Sequence, residues 1–168
     1  MKPVIETDRL ALRQLTPEDV DDLLRIFSDP EAMRHYPATK GRQEAIDWIE
    51  WNLKSYKDHG FGLWVAIRRD TGHFAGQCGL ALQRNVDGRD EVEIGYLFLR
   101  EVWSAGFATE AAIACRDFGF AKLGRDRLVS LIDPANGASK RVAEKVGMSL
   151  EKEIDRWGKR IQVYGIAK

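Results

Sequence analysis

The chain is expected to adopt an α/β (α+β) fold in which a mostly antiparallel, twisted sheet of about seven strands is flanked by about four helices. Three observations lead there. Apolar periodicity switches between two and 3.6 residues in the order β-α-α-β-β-β-α-β-α-β-β. The three central strand-like runs are separated only by short polar turns at Asp70-Thr-Gly72 and Asn85-Val-Asp-Gly88, as in an antiparallel meander. The helix that follows them carries small residues along one face, so its axis can lie close on a sheet.

The elements follow in order. Residues 9–15 alternate like a half-buried strand. Thr16-Pro17-Glu18 reads as an N-cap, a proline at the first helical position and an acidic first turn. Val20, Leu23, Leu24 and Phe27 then recur at helical spacing, and Asp29-Pro30 breaks that helix. A second helix is expected over 42–58, with Ile46, Ile49, Leu53 and Tyr56 as its buried stripe and Gly60 as its stop. Strands are expected over 61–68, 73–82 and 91–99. A helix runs from Thr109 to Lys122, with Ala111, Ala112, Cys115, Phe118 and Gly119 facing inward. A strand over 127–132, a helix over 136–146 and two strands turning at Gly158 complete the order. Trp48, Trp51 and Trp64 are read as core.

At 168 residues one domain, 1–168, is the simplest organisation. The 26 basic and 26 acidic residues cancel, which argues against a nucleic-acid partner recruited by bulk charge. No apolar run is long enough to span a membrane, and the first residues lack a signal-peptide core. Cys78 and Cys115 lie in apolar contexts without CxxC spacing. A disulfide framework is not expected, and a reduced, cytoplasmic setting is. His35, His59 and His73 are too scattered for a metal site, so no metal is expected.

The segment after the third central strand carries the most chemistry. Trp103 is followed by Ser104, Ala105, Gly106, Phe107, Ala108 and Thr109, a tight strand-to-helix turn. Its free backbone N–H groups and the positive end of the helix dipole form a site for a phosphate or pyrophosphate. The nucleotidase pattern Gly-x-x-x-x-Gly-Lys-Ser/Thr is absent.

Glu6-Thr-Asp-Arg-Leu-Ala-Leu-Arg13, Glu93-Ile-Gly-Tyr96, Trp103-Ser-Ala-Gly-Phe-Ala-Thr-Glu-Ala111, Asn136-Gly-Ala-Ser-Lys-Arg-Val142 and Glu144-Lys-Val-Gly-Met148 occur in one order. Together they resemble the GNAT (GCN5-related) N-acetyltransferase superfamily, and within it the ribosomal-protein N-terminal acetyltransferase-like branch. The resemblance covers nearly the whole chain. It implies acetyl-coenzyme A as cosubstrate and a primary amine as acceptor, either a protein N-terminus or a small molecule. Trp103 stands where the superfamily loop usually has Gln or Arg, so the ligand would rest on the backbone of residues 104–109. The superfamily's usual acid tyrosine is replaced by Ala143. The resemblance implies Ser139 in its place as proton donor or coenzyme contact, with Asn136 capping its helix and touching the coenzyme. A non-catalytic acyl-coenzyme A-binding module is the alternative.

Acetyl transfer needs a neutral amine. At pH 7 a lysine amine is neutral in about one molecule in two thousand, and an α-amine in roughly one in ten. A carboxylate acting directly or through water helps either. Glu93 is the leading candidate, with Glu91 second. Alternation puts Glu91, Glu93, Gly95, Leu97 and Leu99 on one face of their strand. Glu93 beside Gly95 in an apolar strand suggests a bulge. By analogy with the family, the strand splays from its neighbour and frees the N–H groups of Leu97, Phe98 and Leu99 for the thioester carbonyl and coenzyme arm. The acceptor site is expected from residues 33–36, where His35 and Tyr36 line it, from the 83–90 loop, and from Trp157-Gly-Lys159. Monomer and homodimer are both compatible with the sequence.

Overall fold

A computed structural model describes residues 2–168. Eight strands form one sheet in the order β1-β2-β3-β4-β5-β6-β8-β7. They are β1 (Ile5–Glu6), β2 (Leu10–Gln14), β3 (Leu63–Arg68), β4 (Phe74–Val86), β5 (Arg89–Phe98), β6 (Arg127–Ile132), β7 (Ser149–Arg156) and β8 (Lys159–Ala167). Four helices accompany them: α1 (Val20–Phe27), α2 (Arg42–His59), α3 (Phe107–Ala121) and α4 (Gly137–Val146). The expected class and order hold, with one strand added. β1 is two residues long and pairs only with β2, too short to leave a periodic signal.

Local chemistry sets the helix ends. Thr16 accepts from Glu18 N–H, while the Asp19 carboxylate accepts from Thr16 N–H at 2.7 Å. This box holds a single 3₁₀ turn, Pro17–Asp19, so α1 proper starts at Val20, later than the proline suggested. Gly60 ends α2 at φ +81, a left-handed conformation open to glycine. The buried residues of α2 are Ala45, Ile49, Asn52 and Ser55; of the expected stripe Ile49 is buried, Ile46 and Tyr56 are half-buried against the core, and Leu53 is exposed. The helix is rotated because Asn52 and Ser55 bond the backbone at the start of β3. Leu63 N–H donates to Asn52 Oδ1 at 2.7 Å, and Ser55 Oγ donates to Phe61 O at 2.6 Å. A periodicity count treats both residues as polar and therefore outward.

The helices cover opposite faces. Trp48 of α2 bonds the side chain of Gln77, whereas Cys115 of α3 touches Cys78, Sγ to Sγ at 3.6 Å. Adjacent residues of β4 point to opposite sides. Both thiols are free and fully buried. The small face of α3 packs as expected, with Ala111, Ala112, Cys115 and Gly119 buried, except that Phe118 is only half-buried. Among the described residues no helix is long and apolar enough to cross a membrane.

Every strand pair is antiparallel except β5 and β6, which run parallel and share only one residue pair, Glu93 with Val129. The sheet therefore opens between these two strands beyond that point.

Candidate active site

The opening is bridged by side chains where a backbone ladder would otherwise run. Ser130 Oγ of β6 donates to Ile94 O at 2.8 Å. Leu131 N–H donates to Glu93 Oε2 at 2.8 Å. Tyr96 donates its phenol to Ser139 O of α4 at 2.8 Å. These contacts leave a gap in the sheet whose two edges are nevertheless fixed. The bulge expected at Glu93 is absent, because β4 and β5 pair in continuous register from Gln83–Glu91 to Gly76–Phe98. The open space beside Glu93 comes from the parted parallel neighbour.

The expectation that Leu97, Phe98 and Leu99 all free their N–H groups is corrected. Leu99 N–H donates to Ala75 O at 2.9 Å. Antiparallel alternation turns Leu97 N–H the same way, toward β4. Only Phe98 N–H, with that of Tyr96, faces the gap; Leu97 contributes its side chain to the cavity wall.

Glu93 is held from two sides. Its Oε1 accepts from Gln83 Nε2 at 3.0 Å, and its Oε2 from Leu131 N–H. Burial pushes its carboxyl up to about 7, against the opposing pull of the Leu131 N–H, the Gln83 amide and the nearby Arg156. A carboxylate titrating near neutrality is suited to proton transfer at that pH. Glu91, the second candidate, is closed off. It is buried and ion-paired with Arg127 at 2.9 Å and Arg89 at 3.3 Å.

The loop after β5 is built around Arg9. Its guanidinium donates to Ala105 O at 2.8 Å and to Glu110 Oε1 at 2.7 Å, and lies 4.2 Å from the centre of the Phe107 ring. Glu110 also accepts from Thr7 Oγ1 and Arg9 N–H. The carbonyl of the turn is thus drawn back toward β2. Gly106 sits at φ +84 as the N-cap of α3, with no side chain to cap the helix. Helix α3 begins at Phe107, so Phe107, Ala108 and Thr109 form its first turn. Among the described residues no protein group accepts from the N–H groups of residues 104–109. Trp103, without an evident role in the sequence, donates its indole N–H to Phe98 O at 2.9 Å and ties the loop to the edge of the gap.

Asn136 caps α4, accepting from Ser139 N–H at 3.1 Å. Both residues line a cavity of about 540 Å³ that opens on the α2 side of the sheet and reaches through the gap. Glu93, Gly95, Leu97 and Tyr96 line it from β5, Gln77, Ala81 and Gln83 from β4, and His35 and Tyr36 from the α1–α2 connection. The Tyr36 side chain is 43% exposed at the cavity mouth, but its phenol end is enclosed, and that local burial, then the charge of Glu93, push it up to about 12. Burial, with Arg34, lowers the His35 imidazole. Lys159 donates to His35 O at 2.9 Å and to Asp133 at 2.7 Å, anchoring the β7–β8 hairpin to the cavity rim. At the tip of that hairpin Trp157 takes a left-handed φ of +55, uncommon for a bulky residue.

Of the expected acceptor segments, Met33, His35, Tyr36, Trp157 and Lys159 reach the cavity, but Gln83 alone does so from the 83–90 loop. Trp64 is core and Trp48 packs half-buried against the core, as expected, but the core reading of Trp51 is corrected. Trp48 and Trp51 stack at 5.6 Å on the cavity wall, and Trp51 is 44% exposed. Sequence reasoning also missed Tyr96 and Gln77. The signal available was the alternation of β4, which puts Gln77 on the Glu93 face, and the three-residue spacing of Trp48 and Trp51.

Comparison with known proteins places the chain in a family. The family model described as "Acetyltransferase (GNAT) domain" matches residues 9–149. The Bacillus subtilis protein YkkB is 42% identical over 97% of this chain and 95% of its own length. The N-acetyltransferase YoaA of the same organism is 33% identical over 90% of this chain and 85% of its own. A solved acetyltransferase from Agrobacterium tumefaciens superposes with a TM-score of 0.87 at 27% identity, covering 99% of this chain and 95% of that one. RimL, a ribosomal-protein α-N-acetyltransferase solved with coenzyme A, shares the fold at a TM-score of 0.79 and 16% identity, covering 98% and 97%. This chain belongs to the GNAT acetyltransferase family.

Proposed function

We propose that the protein transfers an acetyl group from acetyl-coenzyme A directly to a primary amine, with Glu93 as general base. One observation carries the reading. A carboxylate raised to about 7 stands at the single paired position of an otherwise parted β5–β6 edge, inside a cavity that opens to the α2 side.

The residues fit the coenzyme. Six successive unpaired N–H groups, from Ser104, Ala105, Gly106, Phe107, Ala108 and Thr109, would hold the pyrophosphate at the positive end of α3. Phe98 N–H faces the gap, and Asn136 and Ser139 flank it from α4. When bound, acetyl-coenzyme A supplies an activated acetyl group and a thiol leaving group. Glu93 accepts the proton of the incoming ammonium, directly or through one water. Gln83 and Leu131 hold its two oxygens fixed while it does so. Phe98 N–H is the donor available where negative charge develops. A thiol ionises near 8.5 and needs little help to leave. Ser139, whose hydroxyl has no protein partner among the described residues, is the hydroxyl at hand on α4. Acceptors are protein N-terminal amines or small-molecule amines.

The test is thiol release from acetyl-coenzyme A over a panel of amines, with coenzyme binding measured in parallel. Glu93→Gln should lower kcat about 10²-fold or more while leaving coenzyme affinity unchanged. Coenzyme binding with no thiol released for any amine would favour a non-catalytic acyl-coenzyme A-binding module.

A further inference from the structure

The cavity holds two hydrogen-bond donors that the reaction above does not use. Gln77 is 3% exposed and lies on the wall. Its Oε1 accepts from Trp48 Nε1 at 2.9 Å. An indole nitrogen only donates, so the amide orientation is set chemically and Nε2 must point the other way. Among the described residues nothing accepts from that Nε2. At the same end, Lys40 places its ammonium 5.2 Å from the ring centres of both Phe27 and Trp48. It is half-buried and has no carboxylate within ion-pair distance among the described residues. Glu44 also lines this end, with one oxygen accepting from Gly41 N–H at the start of α2.

Gln77 Nε2 is open to the cavity rather than sealed away from it, so a ligand that displaces its water must supply an acceptor or leave the donor unpaired at a cost of about 1–3 kcal/mol, and an aromatic-flanked ammonium then needs a counter-charge as well. We infer that the acceptor amine carries a carboxylate at its far end, received by Gln77 Nε2 and Lys40, with a flat apolar body between them lying against Trp48 and Trp51. This deepens the acetyl-transfer reading and rests on it for the position of the amine.

Register gives the length. Gln77 pairs with Leu97, and Gly95 lies two residues along β5 toward Glu93 on the same face. The amine sits over Gly95, where an added Cβ would meet only Leu63 Cδ1 at 3.5 Å. Two residues of strand span roughly 7 Å, about one six-membered ring and a methylene. Aminomethyl-benzoates are the simplest members of the class.

The experiment compares 4-(aminomethyl)benzoate with 4-methylbenzylamine. Binding to the coenzyme A-loaded protein and steady-state kinetics are both measured, for wild type, Lys40→Met and Gln77→Glu; the last keeps the Trp48 acceptor and reverses the charge facing the ligand. The carboxylate probe should bind at least about tenfold more tightly than the methyl probe. Both variants should abolish that preference, raising KM for the carboxylate probe alone with kcat nearly unchanged. Equal affinity for the two probes in wild type, or an equal loss for both in the variants, overturns the proposal. Charge-selective, Lys40-dependent binding without thiol release would leave this site standing and instead remove the acetyl-transfer reading.

Discussion

Glu93→Gln tests the active-site reasoning through stability as well as rate. The free carboxyl titrates at 4.5 and the one in place at about 7. Because the folded value is the higher, the folded state holds its proton more tightly than the unfolded chain. Stability from this group is full below about 4.5 and falls as pH rises to about 7. Above that, the buried charge costs the fold about 3 kcal/mol, from 1.36 kcal/mol per pH unit. Glutamine has the shape of the protonated acid and stays neutral at every pH, but its NH2 donates where one Glu93 oxygen accepts, a cost that does not vary with pH. Relative to wild type it should therefore gain up to about 3 kcal/mol between pH 4.5 and pH 8. For a domain of this size that corresponds to a Tm about 6–12 °C higher. The assay is thermal or urea denaturation of both proteins from pH 4 to 9, alongside kcat/KM over the same range. Wild-type kcat/KM should rise with pH through about 7, and the residual activity of Glu93→Gln should lack that limb. Parallel stability curves at every pH would show that burial does not raise Glu93 and would remove it as a neutral-pH base.

Other perturbations separate the parts of the molecule. Gly106→Glu forces a side chain into φ +84 near Arg9 and adds negative charge beside the free N–H groups. Coenzyme Kd should rise by roughly tenfold or more, and an unchanged Kd by calorimetry would refute the pyrophosphate assignment. Glu110→Ala strands three donors on Thr7 and Arg9. It should cost about 1–2 kcal/mol of stability and weaken coenzyme binding through the loosened turn. Full retention of both would show that the Arg9 tether is incidental. Asp19 is buried, which opposes its charge, yet the bidentate Arg13 guanidinium and Thr16 hold its carboxyl below the usual range. Asp19→Asn should therefore cost about 2 kcal/mol at pH 7. That gap should close as pH falls below 3.8 and the wild-type side chain protonates; a gap independent of pH in urea titrations would count against the ion pair.

Several features were legible in residue order because they rest on local chemistry. Asn136 as a cap, Gly60 as a helix stop and the small face of α3 depend only on side-chain size, φ preference and neighbours within a few positions. Glu93 could be proposed because it stands with Gly95 on one face of an apolar strand, a property of period two. Trp51 was misread, and the place of Trp48 and Gln77 on the cavity wall was passed over, because their role depends on α2 being rotated by Asn52 and Ser55 against β3, a contact between distant segments.

Residue spacing alone carried the succession of elements other than β1, the antiparallel meander, the glycine turn that opens α3 and the face on which Glu93 stands. All follow from the spacing of apolar residues and the backbone freedom of single positions. Packing between distant segments makes β5 and β6 part after one residue pair, closes Glu91 off with two arginines while leaving Glu93 to a Gln amide and one backbone N–H, and has Trp103 fasten the loop to the edge of the gap. The physical reason is that burial and pairing belong to the space between elements. A carboxylate is raised toward neutrality or locked in an ion pair according to which chain segment arrives beside it, and that segment can lie nearly forty residues away.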